Sequence, residues 1–251
     1  MRKLPQRREH DIAALRRAGQ VVAQMHQAIR EVAAPGITTA HLDEVAREVI
    51  ARNGATSNFL GYHGFPAVIC ASVNDELIHG IPGARQLVDG DVLSIDCGAI
   101  VDGWHGDAAF TMTIGHADER ATALIAVAQR ALAAGIAAMH VGRHVGDIGV
   151  AIDAVVSAAG YGSPHDYCGH GIGRAMHEEP DVPNRGRRGR GPVLTAGSVL
   201  AIEPMLIAGG RDDVRELDDG WTVATADGSL AAHVEHTVLI TDSGPEILTR
   251  L

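Results

Sequence analysis

Four carboxylates stand where a carboxylate is hard to keep. Asp96 and Asp107 lie in the apolar runs Val92–Ile100 and Trp104–Ile114, and Glu203 and Glu235 lie in Val199–Ala208 and His233–Thr241. Burying an unpaired carboxylate is very costly, so each needs an arginine, hydrogen bonds or a cation. Asp102-Gly103 between the first two runs is a strong hairpin signal. With a two-residue loop there, position 96 opposes 109 and position 107 opposes 98. Asp96 and Asp107 then project from one face as diagonal neighbours. Like charges so placed push each other's pKa up, and a shared cation removes the conflict. Taken singly, either Asp reads more simply as a turn or solvent-facing residue.

Glu203 has a sharper context, because Ala201-Ile202 precedes it and Pro204 follows at once. Glu235 sits between Val234 and the run Thr237-Val238-Leu239-Ile240. The two regions also echo each other. Gly90-Asp91-Val92-Leu93-Ser94-Ile95-Asp96 aligns with Gly197-Ser198-Val199-Leu200-Ala201-Ile202-Glu203, with four identities and an acid at each end. His105-Gly106-Asp107 matches His233-Val234-Glu235, and more weakly His79-Gly80-Ile81-Pro82 matches His177-Glu178-Glu179-Pro180. If two related halves pack face to face, the four acids converge on one centre that two divalent cations would neutralise. An oxygen-rich donor set favours Mn, Fe, Co or Mg over a thiolate-seeking metal.

Of 14 histidines, His170 stands out, because Gly169-His170-Gly171-Ile172-Gly173 lets backbone approach a centre closely. No Lys-Ser/Thr follows, so these glycines do not read as a phosphate loop. His177-Glu178-Glu179 is not a zincin motif, since Asp181 stands where the second His would be. Neither Ser72 nor Ser198 lies in a nucleophile elbow. Aromatics are scarce, yet Phe59, Tyr62 and Phe65 fall in one glycine-rich window. That window suits a covering loop or an apolar pocket wall equally.

The elements that must position these residues follow from periodicity. Ile12, Leu15, Ala18, Val22, Met25, Ile29 and Val32 predict a helix ending at Pro35-Gly36. A second helix follows Thr38-Thr39 and stops at Asn53-Gly54. Strands are expected at Ala67–Val73, Val92–Ile100 and Trp104–Ile114, then helices over 118–136 and 147–159. Further strands are expected at Val199–Ala208, Trp221–Ala226 and His233–Thr241. The repeated order of helix pair and strands agrees with the echo.

Composition narrows the class. The chain has 251 residues, 46% of them hydrophobic, enough for one compact domain or two fused halves. A net charge of −10 argues against DNA or other nucleic acid as the main partner. Three cysteines without a CxxC suit a reducing, cytoplasmic setting. The basic start lacks the apolar run of a signal peptide. The Ala-rich stretch from Ala121 to Val141 reads as an amphipathic helix, so no membrane contact is expected.

In order along the chain come Gly61-Tyr62-His63-Gly64-Phe65-Pro66, Ile78-His79-Gly80-Ile81-Pro82, Ile95-Asp96-Cys97 and His105-Gly106-Asp107. Then follow Cys168-Gly169-His170-Gly171-Ile172-Gly173-Arg174, His177-Glu178-Glu179-Pro180, Ile202-Glu203-Pro204-Met205 and Glu235-His236-Thr237. This succession resembles that of the bacterial type I methionine aminopeptidases, from about residue 10 to the end. The resemblance implies an α/β (α+β) pita-bread fold: two pseudo-symmetric halves with antiparallel sheets covered by helices. Residues 1–8 would be a basic N-terminal tail and 9–251 a single catalytic domain.

The resemblance also implies roles. The metal ligands would be Asp96, Asp107, His170, Glu203 and Glu235, with Asp107 and Glu235 bridging two divalent ions such as Co, Mn or Fe. Asp96 would hold one ion, and His170 with Glu203 the other. Glu203 would be the general base, with His79 and His177 as substrate-contacting histidines. Phe59, Tyr62, Phe65, Cys70, Met176 and Trp221 would form the methionine pocket. The activity implied is removal of the initiator methionine from nascent chains ahead of a small second residue, by a monomer. Phe65, Met176, Ala108 and His233 depart from residues frequent in the family, which bears on rate and metal affinity. Rival readings are a proline-specific aminopeptidase or prolidase, which carries an extra N-terminal domain, and a non-catalytic binding protein, which loses ligands. The run Arg185-Gly186-Arg187-Arg188-Gly189-Arg190, with Arg2, Lys3, Arg7 and Arg8, is the candidate ribosome contact. A plain solvated loop is the simpler reading of it.

Overall fold

The computed structural model describes residues 4–116 and 118–251. Arg2 and Lys3, assigned above to a basic tail, lie outside these residues. Helices α1 (Glu9–Val32) and α2 (Thr39–Arg52) form as the spacing predicts. Ile12, Leu15, Ala18, Val22, Met25 and Ile29 of α1 are all buried. The Thr38 hydroxyl caps α2 by accepting from the His41 N–H at 3.2 Å.

The first half continues through β1 (Thr56–Ser57), β2 (Ile69–Val73), β3 (Glu76–Ile78), β4 (Val92–Val101) and β5 (Trp104–Thr113). β4 is flanked by β5 on one edge and by β2 and β1 on the other, all antiparallel. The β4–β5 register is the one predicted from the turn, with Asp96 opposite Ala109 and Asp107 opposite Gly98. Asp102 (φ 53) and Gly103 (φ 73) both take the left-handed backbone that a tight hairpin demands. α1 lies directly on β5 at Gly106, where an added Cβ would sit 2.9 Å from the backbone nitrogen of Gly19.

The second half repeats the plan with α3 (Glu119–Ala137) and α4 (Val145–Ala158). Its strands are β6 (Gly169–Gly171), β7 (Glu178–Val182), β8 (Val199–Ile202), β9 (Met205–Ile207), β10 (Val214–Glu216), β11 (Val223–Thr225), β12 (Ala231–His233), β13 (His236–Thr241) and β14 (Gly244–Ile247). The main sheet has the order β14-β13-β8-β6-β7. β12 pairs with β9, and β11 pairs with β10 and with β3 of the first half. α3 is long and apolar enough to cross a membrane. Its Leu124, Ala128, Ala131 and Leu132 instead share a buried cluster with Ile148 and Ile152 of α4. Each half has its own core, and Ile12, Leu15, Trp104, Ile172, Val199 and Leu239 fill the seam between them.

Three expectations fail at informative places. Val199–Ala208 and His233–Thr241 are not single strands: the first breaks at Glu203-Pro204 and the second at Val234-Glu235. The breaks face each other, between the pairs His236–Ile202 and His233–Met205. Pro204 has no N–H to continue the ladder. The Glu235 N–H then bonds across the seam to the Ala109 carbonyl of β5 at 2.9 Å. The strand predicted from Trp221 begins two residues later, at Val223, which leaves Trp221 in the loop before it.

Candidate metal centre

Strand geometry brings the four acids to one cavity between the halves. Asp96 and Asp107 reach it from the β4–β5 hairpin, and Glu203 and Glu235 from the facing strand breaks. His170 on β6 joins them, as do His79 and His177. Ligand atoms of Asp107, His170 and Glu235 lie within 4.8 Å of one another, and so do those of Glu203, His233 and Glu235. Asp96 lines the same cavity but belongs to neither compact triad.

His233 is the residue whose place here sequence reasoning left unassigned. Its Nε2 is 3.4 Å from Glu203 Oε2, and Nε2 of His170 is 3.5 Å from Glu203 Oε1. The signal lay in the echo of His105-Gly106-Asp107 by His233-Val234-Glu235. Asp166, Tyr167 and Cys168 also line the cavity, as does Met205, and no spacing or periodicity marked them.

The electrostatics are those of a centre built for cations. Burial pushes the Asp96 carboxyl up to about 7, against the pull of His233. Burial alone pushes Glu203 up to about 8. Asp107 and Glu235 are raised well above the carboxylate range, first by burial and then by the neighbouring acids. Burial lowers His170 to about 4, helped by His177, and lowers His233 as well. The imidazoles are therefore neutral, and their contacts with Glu203 are not ion pairs.

The donor set fits divalent metal ions. Asp96 Oδ1, Asp107 Oδ1, Glu235 Oε1 and His233 Nε2 are buried without a hydrogen-bond partner. His170 Nδ1 lies 2.9 Å from the Gly171 carbonyl. A carbonyl only accepts, so the proton sits on Nδ1 and the Nε2 lone pair points into the cavity, as a metal ligand requires. Burial pushes the Cys70 thiol well up, so this cavity cysteine stays protonated and is no thiolate ligand.

An apolar recess opens directly off the acids. Cys70 is the cross-strand partner of Asp96, so pocket wall and acid are neighbours on one sheet. Phe59, Phe65, Cys70 and Met176 are buried in one cluster, with Tyr62 and Trp221 packed against it. Phe65 meets Trp221 edge to face, 5.1 Å between centroids. The Tyr62 hydroxyl lies 2.7 Å from His177 Nδ1. Burial lowers His79 to about 4, and its backbone is held at φ 61, a strained value for a side chain of this size.

The model of metallopeptidase family M24 matches residues 13–242. Methionine aminopeptidase 1 of Mycobacterium tuberculosis is 54% identical, over 99% of this chain and 96% of that relative. The chain belongs to the methionine aminopeptidases of family M24. The Bacillus subtilis methionine aminopeptidase 1 is 43% identical over 96% of the chain and 97% of that relative. The crystal structure of the Thermotoga maritima methionine aminopeptidase superposes with a TM-score of 0.97 at 38% identity, covering 99% of this chain and 100% of that one. The fold is thus the pita-bread fold of this family. Prolidase from Pyrococcus furiosus shares the fold at TM-score 0.80 but only 20% identity, and this chain covers 65% of it. Membership of a metallopeptidase family implies use of divalent metal.

The basic run is not uniform. Arg185 is bonded to Asp212 at 2.7 Å and lies 3.3 Å from Asp153, so it is occupied within the fold. Arg187, Arg188 and Arg190 are exposed on a loop against the start of α4.

Proposed function

We propose that this chain is a dinuclear metal-dependent methionine aminopeptidase that removes the initiator methionine from newly made proteins, favouring a small second residue. The observation that carries the reading is the junction of the acid cluster with a recess walled by apolar side chains. Full-length likeness to relatives named for this activity supports it. Asp96, Asp107, His170, Glu203 and Glu235 would hold the ions, with Asp107 and Glu235 shared between them. His233 stands beside Glu203 as a further nitrogen donor. When bound, the ions supply Lewis acidity and lower the pKa of a nearby water.

The chain's own groups do the rest. The recess of Phe59, Tyr62, Phe65, Cys70, Met176 and Trp221 takes the flexible, polarizable methionine side chain. Glu203 accepts the proton of the attacking water on a carboxylate oxygen and returns it to the departing amide nitrogen. His79, neutral through burial, is a hydrogen-bond partner of the developing oxyanion. A Tyr62 hydroxyl donating to His177 Nδ1 places the His177 proton on Nε2, free for the peptide.

The setting is cytoplasmic and the partner a nascent chain, with the enzyme acting as a monomer. Docking at the ribosome would fall to Arg187, Arg188 and Arg190, since Arg185 is paired internally. Replacing those three with Ser should reduce low-salt co-sedimentation with ribosomes and leave peptide turnover intact.

Release of Met from Met-Ala-Ser, compared with Xaa-Pro peptides and read beside metal content, tests the reading. Preference for the Met peptide with two ions per chain is expected. Cleavage of Xaa-Pro alone, or none with metals loaded, would overturn it.

A further inference from the structure

The described part of the N-terminal segment is laid onto the second half. Leu4 is buried in the core formed by α3, α4 and their sheet. The Arg7 N–H donates to the Gly197 carbonyl at 2.8 Å. The Arg7 side chain then runs beneath the loop joining β6 to β7. There Nη2 forms an ion pair with Glu178 and also donates to the Ile172 carbonyl at 3.3 Å. The guanidinium carbon lies 5.2 Å from the centre of the Trp104 ring, which Arg174 also covers at 4.4 Å.

Glu178 works in two directions at once. One oxygen pairs with Arg7, while Oε1 accepts the N–H groups of Arg174 at 2.7 Å and Ala175 at 3.1 Å. The pair is largely shielded, with side-chain exposures of 14% and 19%. It meets at Gly173, where an added Cβ would lie 2.1 Å from Arg7 Nη2 and 2.8 Å from Glu178 Oε1. Further ties on this loop are the His105 N–H, donating to the Gly173 carbonyl at 2.9 Å, Arg174 Nη1, donating to the Asp102 carbonyl at 3.1 Å, and the Tyr62 hydroxyl at His177. The loop carries Met176, a buried wall of the apolar recess, and His177, adjacent to Glu178 in sequence and lining the cavity.

We propose that Arg7 is a positioning residue of the active site, holding through Glu178 the loop that sets Met176 and His177 against the substrate. The segment 4–8 is then part of the catalytic apparatus. Arg7 touches neither substrate nor metal ligands. It acts by fixing a carboxylate that in turn fixes two loop amides. Small displacements of positioning groups cost rate steeply. Arginine suits the role because Nη2 reaches the carboxylate and the Ile172 carbonyl while the guanidinium also lies against the Trp104 ring, a contact a lysine ammonium makes less well.

The inference rests on the function proposed above, and the test separates the two. Arg7→Ala should lower kcat/KM for Met-Ala-Ser by about ten- to a hundredfold, with kcat falling and KM rising together. Arg7→Lys should recover part of the loss. Glu178→Gln, which keeps an acceptor for the loop amides but loses the charge, should resemble Arg7→Ala. The double variant should be no worse than the weaker single one, because the residues act as a unit. Mn(II) affinity by titration calorimetry should stay within about twofold of the parent. Hydrogen exchange at the Arg174 and Ala175 amides should quicken in Arg7→Ala. Parental turnover in Arg7→Ala, additive losses in the double variant, or activity lost in proportion to metal would each overturn the proposal. If the parent releases no methionine, the function reading fails, and amide exchange still decides the clamp: unchanged exchange in Arg7→Ala overturns it.

Discussion

The hydroxyl of Thr237 donates to the Asp107 carbonyl at 2.7 Å and accepts from the Asp107 N–H at 3.0 Å. A side chain of the second half thus takes the place of a backbone neighbour for the central acid of the first. Thr111 does the reverse for His233, donating to its carbonyl at 2.7 Å and accepting its N–H at 3.0 Å. Between them the Glu235 N–H bonds to Ala109. Threonine hydroxyls therefore stitch β5 of the first half to β12 and β13 of the second and set the spacing of Asp107 from Glu235. Thr237→Val leaves two buried backbone groups unpaired, worth about 1–3 kcal/mol. Divalent-ion affinity should fall by about 10- to 100-fold, and Thr237→Ser should keep most of it. Calorimetric titration with Mn(II) reads this directly. Parental affinity in the Val variant would mean the spacing is set elsewhere.

Asp107→Asn isolates the charge from the shape. In the metal-free protein burial keeps this acid protonated, so a neutral isostere should leave stability within about 1 kcal/mol. The metal-loaded protein should behave differently, because the amide contributes no negative charge between two cations. Bound metal should drop, and turnover should fall beyond the roughly 100-fold seen when only an orienting partner is lost. Elemental analysis beside Met release checks both; two ions with parental turnover would remove Asp107 from the centre.

Stability against pH should change slope when metal is stripped. The folded pKa values of Asp96 and Glu203, about 7 and about 8, lie above the unfolded value near 4. The folded state then holds protons that the unfolded chain has released, so their stabilising contribution is lost as pH rises toward 8. His26, His79, His170 and His236 are buried with lowered values of about 3 to about 4 and act in the opposite sense, but mainly below about 6.5. From pH 6.5 to 8 the histidine contribution fades as the unfolded imidazoles lose their protons, and the acids dominate. Urea denaturation in chelator should show stability falling across that window, by up to about 1.4 kcal/mol per unit for each proton released. With Mn(II) present the trend should flatten or reverse, since ions bind the ionised acids. A rise with pH in chelator would contradict the burial of these carboxyls.

Gly106→Ala should destabilise by about 1–3 kcal/mol through overpacking, because the new methyl meets the α1 backbone rather than a movable side chain. The displaced neighbour is Asp107, so metal affinity should fall as well. Denaturation midpoints with and without Mn(II) measure both effects, and a change under about 0.5 kcal/mol would mean α1 yields freely.

The first hairpin could be read almost to the residue, because Asp102-Gly103 fixes both turn and register and a period of two does the rest. The helices were as plain, since apolar spacing and Thr38 are local signals. The second pair of acids was found but misplaced. Glu203 and Glu235 looked like strand residues, whereas the ladder stops at each of them: Pro204 brings no N–H and the Glu203 carbonyl takes the Asn184 side-chain amide, while the Glu235 N–H bonds across the seam to Ala109. His233 was visible as an echo, but its closeness to Glu203 depends on two strands meeting and on no spacing within either. Arg7 read as tail charge because Glu178, its counterion, is 171 positions away. The family motifs supplied ligand roles that periodicity alone did not reach.

The two halves match in their acids and differ in their imidazoles. Each supplies a pair of carboxylates, yet the ring nitrogens lying within ligand distance of those acids, from His170 and His233, both come from the second half. A centre made of two identical copies would offer two equivalent seats around its axis. Fusing the copies into one chain lets each half drift on its own, and here the imidazoles of both compact triads come from the second half. On the proposed dinuclear reading the two seats would therefore differ in affinity, and one ion would bind at a lower concentration than the other.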